Sequence, residues 1–152
     1  MTRIMIELDD EAATAALGAR LAAVLKNGDI LLLSGDLGAG KSTLARGLIE
    51  ALTGAAEAPS PTFTFVETYD APGFTLRHFD LYRLETPEEV WELGFEDALS
   101  DGAALVEWPE RLGALIPADG LAIRLNIDGA RRIAVMEPGE TWAPRLAAAG
   151  IA

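Results

Sequence analysis

The chain has 152 residues, half of them apolar, and no cysteine; it is expected to form a single domain, residues 1–152, that buries about 70% of the surface its unfolded form exposes. Without cysteine it has no disulfide scaffold, thiolate zinc site or cysteine nucleophile, and with one histidine, His78, it has no multi-histidine metal centre. Twelve Lys and Arg against 24 Asp and Glu give a formal net charge of −12, which argues against a protein that grips nucleic acid alone, because phosphate contacts need clustered cations.

In chain order, Arg3–Leu8 reads as a first strand. Asp9 or Asp10 can cap a helix over roughly Glu11–Leu25, with Leu17, Leu21, Val24 and Leu25 on one side and Gly28 beyond its end. Ile30 to Leu33 is a short apolar run, the pattern of a strand buried on both faces. A second helix is predicted from Lys41 to about Leu52, closed by Gly54. Thr62–Tyr69 reads as a strand, Pro72-Gly73 as a turn and Phe74–Leu81 as an antiparallel partner. Thr86-Pro87-Glu88-Glu89 is a capping box whose helix should stop at Gly94. Ala103–Val106 is a short strand ending in Glu107. Leu121, Ile123, Leu125 and Ile127 alternate with polar or small residues as in a half-buried strand, and Asp128-Gly129 turns it into Arg132–Met136. Roughly Thr141–Ala152 is weakly patterned and reads equally as a helix or a frayed end. Strands alternating with helices early and pairing as hairpins later predict an α/β layer fold with a mixed sheet.

The strongest chemical signal is Gly35-Asp36-Leu37-Gly38-Ala39-Gly40-Lys41-Ser42, with Thr43 following. It matches the phosphate-loop pattern G-x-x-x-x-G-K-[ST] in full. Glycines let the backbone wrap a phosphate with its N–H groups inward. The helix that follows directs its own N-terminal N–H groups and partial positive charge at the same place. Lys41 would reach the terminal phosphates, and Ser42 would offer a hydroxyl to Mg²⁺. The two asparagines, Asn27 and Asn126, are not followed by lysine, so a guanine-reading Asn-Lys-x-Asp loop is missing and ATP is the expected nucleotide.

Mg²⁺ on a nucleotide usually takes a carboxylate from the end of a neighbouring strand. Asp80, in His78-Phe79-Asp80-Leu81-Tyr82-Arg83, and Glu107, before Trp108-Pro109, both stand where a strand gives way to a loop. Which of them contacts the metal directly is open at this level. Ser60-Pro61-Thr62 offers a hydroxyl placed like those of γ-phosphate-sensing loops. His78 reads as a core or hydrogen-bonded histidine and not as a ligand.

Taken together and in this order, Gly-Asp-Leu-Gly-Ala-Gly-Lys-Ser, Ser-Pro-Thr-Phe, His-Phe-Asp-Leu-Tyr-Arg and Glu-Trp closely resemble the TsaE (YjeE) family. These are small bacterial P-loop ATPases needed for threonylcarbamoyladenosine formation in tRNA. The resemblance runs from about Asp9 to Arg132. It implies a protein that works with TsaB and TsaD and meets tRNA indirectly through that complex. TsaD would transfer the threonylcarbamoyl group, and this chain would hydrolyse ATP to reset the assembly. It also implies that Leu37–Ser42 bind phosphates and that Ser42 and Glu107 hold Mg²⁺. Thr62 would belong to a switch-I-like loop and Asp80 to a switch-II-like or Walker-B-like segment. Trp108 would lie beside the nucleotide, Asp10 and Thr14 would approach the base, and either Arg131 or Arg132 would be the arginine near the nucleotide. Ser42 replaces the more usual Thr, and either hydroxyl can ligate Mg²⁺.

Two other readings stand beside this one. A small-molecule kinase would share the length and the loop, but the arginines here are scattered, with no Gly-flanked lid. A nucleotide-gated binding module would need the loop without a base for water. The first twenty residues contain Glu7, Asp9, Asp10 and Glu11, so no signal peptide is expected. No apolar run reaches the ~18 residues of a membrane span, so no membrane contact and a cytoplasmic location are expected.

Overall fold

The computed structural model describes residues 3–54, 61 and 64–151. Seven strands form one mixed sheet: β1 (Ile4–Leu8), β2 (Ile30–Ser34), β3 (Val66–Ala71), β4 (Phe74–Asp80), β5 (Ala103–Glu107), β6 (Leu121–Asp128) and β7 (Arg131–Met136). Their spatial order is β1-β7-β6-β2-β5-β4-β3. The core is parallel, with β2 between β5 and β6 and with β4 beside β5. The edges are antiparallel, through the β3–β4 and β6–β7 hairpins and the β1–β7 pair. This is the mixed α/β sheet that the sequence pattern predicts.

The sheet's period of two divides the core. Leu31 and Leu33 of β2, Leu105 of β5 and Leu121, Ile123 and Leu125 of β6 point to one side. There they pack under α1 (Glu11–Ala22), α2 (Lys41–Thr53) and α4 (Trp142–Ala148). Ile30, Leu32, Phe79, Ala104 and Val106 point to the other side. They meet α3 (Phe95–Ser100) and two 3-10 segments, Pro87–Leu93 and Pro109–Leu115. That second layer covers β2, β5 and β4, whereas Arg124 and Asn126 of β6 lie exposed on the same face.

Helices α1 and α2 approach backbone to backbone, because two glycines meet them halfway. A Cβ on Gly18 would stand 2.2 Å from the Leu44 carbonyl oxygen, and one on Gly47 would stand 2.2 Å from that of Ala15. Asp10 caps α1 by accepting from the Ala13 N–H at 2.8 Å. The close crossing therefore fixes the N-terminal end of α1 against the start of α2, where Thr14 Cγ2 would lie 3.4 Å from a Cβ on Gly40.

Boundaries shift in places. Helix α1 ends at Ala22, short of the expected Leu25, and residues 23–24 form a turn. Strand β3 begins at Val66, because Phe65 just ahead of it takes a left-handed backbone (φ 68°) that an extended strand does not admit. The capping box forms: Glu89 accepts from the Thr86 N–H at 2.8 Å. Its residues wind as a 3-10 segment that ends at Gly94, and α3 starts at once behind it. Neither α3 nor the 3-10 segment after Trp108 is foreseen by the residue pattern. The weakly patterned C-terminus forms α4, which Arg145 ties down. Its guanidinium pairs both nitrogens with Asp29, at 2.5 and 3.0 Å, donates to the Val24 carbonyl and stacks 3.9 Å from the Trp142 ring centroid. Among the described residues, no helix is long and apolar enough to cross a membrane.

Candidate functional site

The phosphate-loop sequence occupies the connection from the C-terminal end of β2 to the N-terminus of α2. Two of its glycines are required by geometry. Gly35 (φ 144°) passes so close to β6 that a Cβ would sit 2.5 Å from the Leu125 carbonyl oxygen. Gly40 caps α2 at φ 105°, a left-handed conformation that costs an L residue about 1–2 kcal/mol. The loop thus turns back over the helix terminus that it precedes.

Alternation along the strands brings the carboxylates to this loop. Leu76, His78 and Asp80 of β4 share a face with Ala103, Leu105 and Glu107 of β5, and β4 pairs with β5 in parallel with Asp80 opposite Glu107. Both carboxylates therefore lie at C-terminal strand ends on the α2 side, beside the loop, as ligand-binding residues of open α/β sheets do. Ser42, in the first turn of α2, donates its hydroxyl to Glu107 Oε1 at 3.4 Å. Asp80 Oδ1 accepts the N–H of Tyr82 at 3.1 Å. On its other oxygen Glu107 meets His78: Nε2 lies 2.6 Å from Oε2, and both side chains are buried.

Lys41 is nearly buried in the middle of this group. Its ammonium donates to the carbonyls of Gly35 and Asp36 and lies 3.9 Å from the Trp108 ring centroid. Burial pushes the amine below its ordinary value, while Glu107, Glu110, Asp80 and Asp36 pull it back up. Trp108 itself is held in a left-handed backbone (φ 59°, ψ 50°), its N–H donated to the Leu33 carbonyl at 3.2 Å. For an aromatic residue this conformation is strained. It ends β5 right after Glu107 and turns the indole over the lysine. Tyr82 packs against it with the rings tilted by 42° and 4.7 Å between centroids.

These groups line one cleft of about 580 Å³. From the phosphate loop and α2 it takes Leu37, Gly38, Gly40, Lys41, Ser42 and Thr43; from the strand ends Asp80, Glu107 and Trp108; and from the opposite wall Asp10, Thr14 and Arg132. Gly35, Asp36 and Ala39 support the loop from behind, the first two through carbonyls that hold Lys41. The two candidate arginines part company. Arg132 faces the cleft and donates to the Gly38 carbonyl at 3.1 Å, whereas Arg131 turns away to Asp128 and Glu7. Thr62 and Ser60 lie outside the described residues. Residue reading missed Leu8, Glu11, Tyr82 and Ala130 as parts of the wall, and it missed the link from His78 to Glu107. The H-x-D spacing on a strand was the available signal, since residues two apart share a face.

The oxygen donors suit a hard cation. Among the described residues no cluster of three or more His, Cys, Asp or Glu forms a metal cage. Mg²⁺ on a nucleotide needs less: one or two carboxylates, a hydroxyl, phosphate oxygens and water. Ser42, Glu107 and Asp80 fit that requirement.

A family model described as "Threonylcarbamoyl adenosine biosynthesis protein TsaE" matches residues 8–133. The chain belongs to the TsaE family. The family works in the biosynthesis of threonylcarbamoyladenosine in tRNA. A relative named "tRNA threonylcarbamoyladenosine biosynthesis protein TsaE" from Rickettsia felis is 43% identical over 124 residues, covering 81% of this chain and 72% of its own. One of the same name from Streptomyces coelicolor is 39% identical over 136 residues, covering 84% and 92%. The crystal structure of "Bacillus subtilus YdiB" superposes with a TM-score of 0.78 at 26% identity, covering 98% of this chain and 95% of that one. The TsaE match spans every residue that lines the cleft and stops before α4.

Proposed function

We propose that this TsaE-family chain is a Mg²⁺-dependent ATPase. It would serve threonylcarbamoyladenosine modification of tRNA by acting on a TsaB–TsaD-like complex, resetting that complex without transferring the group itself. The observation that carries the reading is the convergence in one cleft of a complete phosphate loop, its lysine, a hydroxyl and two strand-end carboxylates. The loop N–H groups and the start of α2 would cradle the phosphates. Lys41 would exchange the carbonyls of Gly35 and Asp36 for phosphate oxygens. Ser42, Glu107 and Asp80 would hold Mg²⁺, which when bound supplies charge neutralisation at the β- and γ-phosphates. Water would attack the γ-phosphate, and positioning and electrostatics would carry most of the rate. Trp108, Asp10, Thr14 and Arg132 would close around the nucleoside side of the cleft, and Thr62 would sense the γ-phosphate. The reading takes residues 1–152 as one nucleotide-binding domain working in the cytoplasm. The charge of −12 supports indirect contact with tRNA, since partners would supply the cations.

The test is ATP turnover of the full chain with and without TsaB–TsaD, with tRNA as a third component. Weak turnover alone, stimulated by the pair, is expected. Lys41→Ala should lower turnover by roughly two to three orders of magnitude, the size seen when a charge-stabilising donor is removed. Equal turnover with and without partners, together with normal tRNA modification after depletion, would refute the proposal. A phosphorylated metabolite in place of free phosphate would mark a kinase. Intact tRNA modification with a non-hydrolysing Glu107→Ala chain would mark a binding module.

A further inference from the structure

One buried polar group has no part in the chemistry above. His78 sits under the cleft with Nε2 2.6 Å from Glu107 Oε2, while its Nδ1 is buried and meets no hydrogen-bond partner among the described residues. That asymmetry assigns the ring's proton. A hydrogen on Nδ1 would be buried without an acceptor, and a bare Nε2 would face a carboxylate oxygen lone pair to lone pair. A proton on Nε2 satisfies both observations. The two carboxylate oxygens are then divided: Oε2 accepts from His78, and Oε1 accepts from the Ser42 hydroxyl on the cleft side.

A buried polar pair is also a poor stabiliser, because apolar residues of similar volume would fill the same space at no desolvation cost. What such a pair can supply is a fixed orientation of Glu107. The strand register supports this. His78 and Asp80 stand two residues apart on β4, facing Leu105 and Glu107 of β5, so the ring reaches across to the neighbouring strand's terminal side chain.

We propose that His78 is a positioning residue for the metal of this site: as the Nε2–H tautomer it holds Glu107 Oε2, which leaves Oε1 turned to Ser42 and to Mg²⁺. The inference rests on the nucleotide reading given above. Outer partners of a ligating group typically change metal affinity by about 10- to 100-fold.

Two measurements on the full chain test it. His78 is the sole histidine, so a two-bond ¹H–¹⁵N spectrum reports its tautomer without assignment and without nucleotide. A protonated Nε2 and a bare Nδ1 are expected, with the Nε2–H signal displaced in Glu107→Gln. A proton on Nδ1 would overturn the proposal. The second measurement is the affinity of a non-hydrolysable ATP analogue, in Mg²⁺ and in EDTA, for His78→Leu and His78→Gln. His78→Leu should lose roughly 10-fold of the Mg²⁺-dependent part and none of the metal-free part. His78→Gln, which keeps an N–H donor at similar reach, should recover most of it. Equal affinities in the three chains, or equal losses in Leu and Gln, would overturn the proposal. If His78→Leu fails to fold, His78→Gln and the spectrum still decide. No Mg²⁺-dependent affinity in the unaltered chain would instead sink the nucleotide reading, and the tautomer spectrum would stand apart from that result.

Discussion

At the residue scale, the two neighbouring arginines show how position on a strand separates roles. Arg131 and Arg132 follow one turn and point to opposite faces of β7. Arg131 closes a surface ion-pair network with Glu7 and Asp128. Arg132 brings its guanidinium against the phosphate loop at Gly38. A charge-assisted hydrogen bond to a bound nucleotide contributes about 1.5–3 kcal/mol. Arg132→Ala should therefore weaken ATP binding by about 10-fold or more, whereas Arg131→Ala should leave it within error, both read by equilibrium titration. The same scale explains Trp108. Its left-handed backbone is a cost accepted at the point where β5 must stop and the indole must cover Lys41.

At the element scale, the crossing of α1 and α2 sets the width of the cleft. Gly18 and Gly47 leave no room for a methyl group, since the nearest atoms are backbone carbonyls and cannot rotate away. Gly47→Ala gains about 1 kcal/mol of helix propensity yet forces the helices apart, at a cost of roughly 1–3 kcal/mol for overpacking. With a clash at 2.2 Å from the Ala15 oxygen, the cost should win. A fall of roughly 2–8 °C in the thermal midpoint is expected in calorimetry. Weaker nucleotide binding should accompany it, because Asp10 and Thr14 ride on α1. An unchanged midpoint would mean that the helices are not held at this distance.

At the scale of the whole molecule, the C-terminal helix is fastened far from the cleft. Asp29 lies just before β2 and Arg145 on α4, so their paired contacts join the chain's end to the approach of its central strand. Both side chains are largely buried, Arg145 at 16% and Asp29 at 10% exposure. Removing Arg145 leaves the buried Asp29 carboxylate without a counter-charge and with the Lys26 N–H, 2.8 Å from Oδ2, as its remaining donor among the described residues, so Arg145→Ala should cost about 1–3 kcal/mol in urea unfolding. The double variant with Asp29→Asn should cost less than the sum of the two singles, by about 0.5 kcal/mol or more. Strict additivity would show that the pair does not couple. ATP turnover should change little in either variant, because none of these groups lines the cleft.

The sequence by itself determined the seven strands, the first two helices and the chemistry of the loop. A full G-x-x-x-x-G-K-S run between a buried strand and a helix signal, alternation in β6, a cap at Asp9 or Asp10 and the Thr86–Glu89 box are local patterns, written in residues close along the chain. It also placed Asp80 and Glu107 at strand ends. Only the tertiary structure decided that β4 lies beside β5 with those two residues opposite each other, because register between distant strands is set by packing and not by either strand alone. For the same reason it alone separated Arg132 from Arg131, exposed the contact of His78 with Glu107, and showed why Gly18 and Gly47 are small. The C-terminal helix was illegible for a related reason: with little pattern of its own, it is held by Asp29 and Val24, more than a hundred residues earlier in the chain.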